Sequence, residues 1–141
     1  MVRPLPPHVS GEMVRIALLE ARPAGLTLRQ LCAATDLTPA QVRSGLGWIR
    51  KVTAAEHMTP LTYNRVLGYA LSDDEVYWIA AERGFFRMEL TRITRMLTAV
   101  LDPHRARQPV DGSNGDDWIR LVLEQVGGVR ATFEMLTRLK V

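Results

Sequence analysis

Two helix starts of the same design stand eleven residues apart in this chain: Thr27 with Gln30, and Thr38 with Pro39 and Gln41. In each, the threonine hydroxyl can accept the backbone N–H three residues ahead while the glutamine side chain reaches back to the threonine N–H. Pro39 takes the first helical position, where a missing N–H costs nothing. Only Thr35, Asp36 and Leu37 separate the end of the first helix from the start of the second. So short a link forces two helices to turn sharply against each other, with Leu37 as the apolar residue in the turn.

The second of these helices is expected to run to about Val52, and it has two distinct faces. At about 100° per residue, Val42, Gly45, Leu46 and Ile49 fall in one core stripe. Ala40, Ser44, Gly47 and Lys51 point the other way, with Arg43 and Arg50 on one edge and Trp48 on the other. Small side chains let a helix approach a groove closely, and arginine and lysine reach past them to base edges and phosphates. Gly45 and Gly47 depart from a good helix-forming sequence, each at a cost of about 1 kcal/mol relative to alanine.

Upstream, residues 1–9 carry Pro4, Pro6 and Pro7 without periodicity and read as a loose arm. Ser10 is then the expected cap of a helix with Met13, Val14, Ala17 and Leu18 on its buried face. That helix stops before Pro23, and residues 22–25 have turn chemistry. Downstream, residues 53–72 change pattern. Residues 57–60 read as a turn, and the β-formers of 63–71, with Tyr69 and Leu71 alternating, predict a hairpin whose tip lies within 57–65.

Three helices followed by such a hairpin resemble the winged helix-turn-helix DNA-binding domain, a superfamily of bacterial and phage regulators. The likeness covers residues 12–72, about half the chain: Met13 to Glu20, Gly25 to Thr35, Leu37 to Ile49 and the returning Gly68 to Ser72. It implies that residues 39–51 are the recognition helix and residues 57–66 the wing. The expected fold is therefore mainly α with a small β-hairpin, an N-terminal winged helix-turn-helix followed by long C-terminal helices.

The charge distribution agrees with a basic first part. Residues 1–72 hold eight Arg or Lys against four acids, whereas 73–101, 102–115 and 116–141 are each within one charge of neutral. A basic subdomain beside a neutral one fits a nucleic-acid reader joined to an oligomerisation or partner-binding part. In that second half, residues 73–101 predict a long amphipathic helix, with Gly84 as a point of bend or break. Residues 102–115, with Pro103, Pro109, Gly112, Ser113 and Gly115, predict a mobile linker. Residues 116–141 predict a last amphipathic helix starting at Asp116 or Asp117, interrupted by Gly127 and Gly128. Such helices need a partner surface, because burial of the apolar face supplies most helical stability. They are expected to pack in one chain or, as a homodimer, against a second copy through 73–101 and 116–141. A symmetric dimer would set two recognition helices about one turn of DNA apart.

Catalytic chemistry is not expected. His8, His57 and His104 offer no metal-ligand spacing, Cys32 reads as a small core residue, and Asp73, Asp74 and Glu75 read as a helix start. No phosphate-cradling loop, nucleophile elbow, metal site or cofactor site is expected. No run approaches the roughly 18 to 20 apolar residues of a membrane span, and a cytoplasmic location is expected. The leading reading is thus a non-enzymatic, homodimeric regulator of transcription bound to double-stranded DNA. Arg29, Arg50 and Lys51 are expected on phosphates, Arg43, Ser44 and Gln41 on bases, Asn64 and Arg65 at the wing, and Trp48 at the edge of the face. The alternative is a winged-helix protein-interaction module, an assembly or inhibitor subunit that docks a protein on the same face. A third reading places an effector pocket among Trp78, Phe85, Phe86 and the last helix.

Overall fold

The computed structural model describes residues 4–140; residues 1–3 of the expected arm lie outside the described residues. The protein is mainly helical with one small antiparallel hairpin, and it divides into two units, one ending at Ala81 and the other beginning at Glu82.

In the first unit, helix α1 (Pro7–Ala21) starts three residues before the expected cap. Pro7 sits in the first turn, where proline is preorganised for helix, and Pro6 rather than Ser10 is the capping residue. Ser10 is instead fully buried inside the helix, beside Gly11, Val14, Ala17 and Leu18, while Met13 sits at the exposed edge of that face. Helices α2 (Leu28–Thr35) and α3 (Pro39–Trp48) both begin with the complete reciprocal capping box. Between them Asp36 takes a left-handed conformation and Leu37 is buried in the turn. Leu18, Leu31, Val42, Leu46 and Ile49 form the centre of the core, and Leu28 and Cys32 pack against it.

The helical path continues beyond Trp48 as a π-helical stretch (Ile49–Thr53) and a short turn, α4 (Ala54–Glu56). Strands β1 (Thr62–Asn64) and β2 (Gly68–Ala70) then pair antiparallel, with Tyr63 opposite Tyr69. The hairpin tip is therefore 65–67, outside the expected 57–65 except for Arg65, and the hairpin occupies 62–70 rather than 57–66. Asn64 explains the shift: its Oδ1 accepts from the backbone N–H of Val66 and of Leu67, closing the turn on itself. Gly68, at φ +81, then returns the chain where a Cβ would collide with the Leu26 carbonyl. On its other edge Tyr69 exchanges two backbone hydrogen bonds with Leu26, at 2.8 and 2.7 Å, tying the α1–α2 connection to the hairpin.

Helix α5 (Glu75–Met96) runs without a break through Gly84, and the unit boundary falls within it. In the second unit, a π-helical stretch (Leu97–Leu101) leads into helix α6 (Asp102–Arg107), where a linker was expected. Pro103 follows directly on that π-helical stretch, whose widened turn has Asp102 N–H reaching back to Leu97, so the helical path absorbs a residue with no N–H to give and only the segment from Gln108 to Ser113 is irregular. Helix α7 (Asn114–Arg138) is capped by Ser113, two residues earlier than expected, and passes through Gly127 and Gly128 uninterrupted. Leu97, Leu101 and Ile119 make its core with Ile93, Val122, Leu123 and Val126, so these helices pack against each other within one chain.

Asp116, expected with Asp117 as a place where this helix starts, is buried in the first turn of α7. Its carboxylate accepts from Gly112 N at 2.9 Å, Arg105 at 3.1 Å and Arg120 at 2.8 Å. The Gly112 N–H, then the charges of Arg120 and Arg105, hold this carboxyl below its ordinary 3.8 against the opposing effect of burial. A depressed folded value means stability that is present above about pH 4 and is lost as pH falls through the folded value. Thermal unfolding of wild type should therefore shift downward on acidification below that point. Asp116→Asn should lower the neutral-pH midpoint and flatten this acid limb; parallel limbs in the two proteins would refute the role.

Candidate nucleic-acid interface

The outer face of α3 is built by its cap and by what lies behind it. Thr38 and Gln41 fix the first turn, with Gln41 Oε1 accepting from Thr38 N at 3.0 Å and Thr38 Oγ1 accepting from Gln41 N at 3.2 Å. Behind the helix, a Cβ on Gly45 would stand 2.8 Å from the Ser10 carbonyl oxygen, so this glycine serves the close approach of α1. Gly47 has nothing within 4 Å of such an atom and leaves the outer face low. Ala40, Arg43, Ser44 and Lys51 are exposed around it.

The expected site residues divide into three groups. Arg43, Ser44 and Lys51 are exposed on α3 and the π-helical stretch that follows it, Arg29 is exposed on α2, and Arg65 is exposed at the hairpin tip. Arg50 turns toward the hairpin, its guanidinium carbon 5.8 Å from the centre of the Tyr69 ring, which itself lies 4.7 Å from that of Tyr63. It therefore links the end of the helical path to the strands through a cation–π interaction. Gln41 and Asn64 have their side-chain carbonyls engaged in the cap and the turn, so their first role is to shape those elements.

Trp48 does not belong to the outer face. Its side chain lies against α1, where a Cβ on Gly11 would come within 2.6 Å of the indole, and its ring is 6.1 Å from that of His8. The glycine gap on α1 that receives the indole is invisible to a helical wheel of α3 alone, which set Trp48 at the edge. Arg22, which the sequence marked only as a turn residue, donates through Nε to the Leu71 carbonyl and fastens the end of α1 to the end of β2. Its position just before a turn was the only signal for such a clasp.

Electrostatically the face is unneutralised. Among the described residues of the first unit the sole ion pair is Arg15 with Glu12, on α1. Arg29, Arg43, Arg50, Lys51 and Arg65 thus stand without a carboxylate partner, and all five are exposed. Such an arrangement attracts an anion and holds it through charge-assisted hydrogen bonds. Among the described residues no three His, Cys, Asp or Glu converge on a place that could hold a metal ion, and no helix is long and apolar enough to cross a membrane.

Of the aromatic side chains expected around an effector pocket, Trp78 lies in the first unit and donates its indole N–H to the Ser72 carbonyl at 2.8 Å. In the second unit Phe86 packs against Phe133, ring centres 5.6 Å apart. No protein-family model, no curated protein and no solved structure matches the chain.

Proposed function

We propose that the protein is a sequence-specific, DNA-binding regulator of transcription that works as a homodimer in the cytoplasm, without catalysis. The observation that carries this reading is the set of exposed cations without acidic partners on a doubly capped helix-turn-helix whose outer face is kept low by Ala40, Ser44 and Gly47. The order of three helices and a hairpin, with Leu26 bridged to Tyr69, supports reading the first unit as a winged helix-turn-helix. In this reading α3 enters the major groove and Arg43 and Ser44 address base edges. Lys51 and Arg29 take phosphates, and Arg65 at the 65–67 tip touches backbone or minor groove. Arg50 acts mainly by steadying the hairpin through Tyr69, and Asn64 by shaping its tip.

Fluorescence anisotropy against random-sequence duplex DNA across a salt series tests the reading. Affinity in the micromolar range at low salt is expected, falling steeply as salt rises because bound counterions are released. The Arg43→Ala/Lys51→Ala protein should bind more weakly on every sequence, with the salt slope reduced by about one for each phosphate-binding cation removed. Absence of binding at low salt would reject the DNA reading. It would leave the second one, a protein-interaction module that docks a partner on the same small, basic face.

A further inference from the structure

We infer that one flank of the second unit's helix pair is the surface on which a second copy of this chain docks. The inference starts from the packing within the unit. Leu97 and Leu101 pack with Ile119, Phe86 meets Phe133, and Arg83 donates to the Leu139 carbonyl. Rising numbers on one helix meet falling numbers on the other, so the pair is antiparallel.

That direction decides which remaining side chains share a side. Each residue advances about 100° around an α-helix and somewhat less in a π-helical stretch, and in an antiparallel pair the two advances run in opposite senses when seen from one end. Residues turned by a similar negative angle from the line of packing on either helix therefore emerge on the same flank. On α5 and the turn after it the apolar ones are Phe85, Met96 and Val100, standing among Glu82, Glu89 and Arg92, the last two joined as an ion pair; on α7 they are Trp118, Val129 and Leu136, beside Gln125 and Thr132. The first five of these apolar side chains are 54, 52, 54, 60 and 46% exposed in that order. The opposite flank, by the same construction, presents Arg87, Thr91, Thr98, Arg120 and Arg138, all exposed and polar. Exposed large apolar side chains thus gather on one flank of the two-helix layer, among a few charged and polar ones, and the other flank is polar.

Area points to the occupant. Five large side chains about half exposed leave on the order of 500 Å² of apolar surface on one flank. A standard interface removes about 800 Å² per partner, roughly 60% of it apolar, which is the same quantity. A second copy supplies an identical flank, and two such layers face to face make a four-helix arrangement with a shared core and a twofold axis. This locates the dimer of the reading proposed above, but it is tested apart from DNA: a DNA-binding monomer overturns the flank, and a dimer without DNA affinity overturns the regulator.

Sedimentation equilibrium at micromolar concentration should give twice the chain mass for wild type. Met96→Glu/Val129→Glu puts two carboxylates in the apolar interface and should weaken association by roughly a hundredfold or more. Thr91→Glu/Thr98→Glu, on the polar flank, should leave the dimer intact, and far-UV circular dichroism reports whether each variant keeps its helices. Should the first variant not fold, peroxide footprinting of wild type decides. Met96 should oxidise markedly more slowly than Met58 and Met88, although all three are exposed in the single chain. A monomeric wild type, a dimer broken by the polar-flank variant, or equal oxidation of Met96 and Met58 would each overturn the inference.

Discussion

Ile119→Ala is expected to unfold the second unit. Ile119 is fully buried between Leu97 and Leu101, and these three are the only buried apolar side chains among that unit's described residues. Truncating a buried isoleucine costs about 2–5 kcal/mol through the transfer energy forgone and the cavity left behind. A unit of this size draws no more than roughly 3–5 kcal/mol from a single core, so the cost is comparable to the whole. Urea unfolding followed by circular dichroism should show most of the helical signal of α7 already absent without denaturant. The core built on Leu18, Leu31, Leu46 and Ile49 has no member in common with it, and its own transition should persist. A midpoint and amplitude equal to wild type would contradict the assignment of Ile119 as the keystone of this core.

One substitution at two glycines of α3 should give opposite signs. In an open helix interior, alanine is favoured over glycine by about 1 kcal/mol because it loses less backbone entropy. Gly47 has open space where the new methyl would go, so Gly47→Ala should raise stability by about that amount. At Gly45 the methyl would stand 2.8 Å from the Ser10 carbonyl oxygen and 2.9 Å from its carbon, and backbone cannot step aside as a flexible side chain can. Forcing α1 away from α3 should lower stability by about 1–3 kcal/mol, which outweighs the propensity gain. Thermal melts of the two single variants decide this; shifts of the same sign would refute the packing described for Gly45. Gly47→Ala has a further use, since a methyl on the outer face should weaken DNA binding by a protein that is itself more stable.

Much of the fold was legible because its signals are local. Thr27 with Gln30 and Thr38 with Gln41 satisfy each other across three residues, and nothing distant is needed to make those caps form. Leu37 in the turn and the stripe Val42, Gly45, Leu46 and Ile49 follow from the 3.6-residue period. Where the outcome differed, either packing or a neighbouring turn had decided. Ser10 carries a capping side chain, yet Pro7 starts the helix earlier and the serine is drawn under α3. Residues 102–107 carry a proline, yet they continue as helix because Pro103 comes directly after a widened π-helical turn. The hairpin slipped because a short polar turn, closed by Asn64, competes with several others of similar composition, and the pairing of Tyr63 with Tyr69 selects among them.

The candidate site divides along the same line. Composition and spacing alone identified a basic first half and put Arg43, Ser44 and Lys51 on the outward side of a capped helix, since exposure there follows from helix period. Tertiary structure alone decided that Trp48 lies against Gly11, that Arg50 reaches Tyr69, and that Asp116 is buried where Arg105 reaches it. Caps and periodicity are energies between residues a turn apart, and they are written in the order of the chain. A glycine gap, a ring beneath a guanidinium and an arginine reaching a carboxylate on another helix join segments that meet only after the chain has folded, and no spacing in the sequence records them.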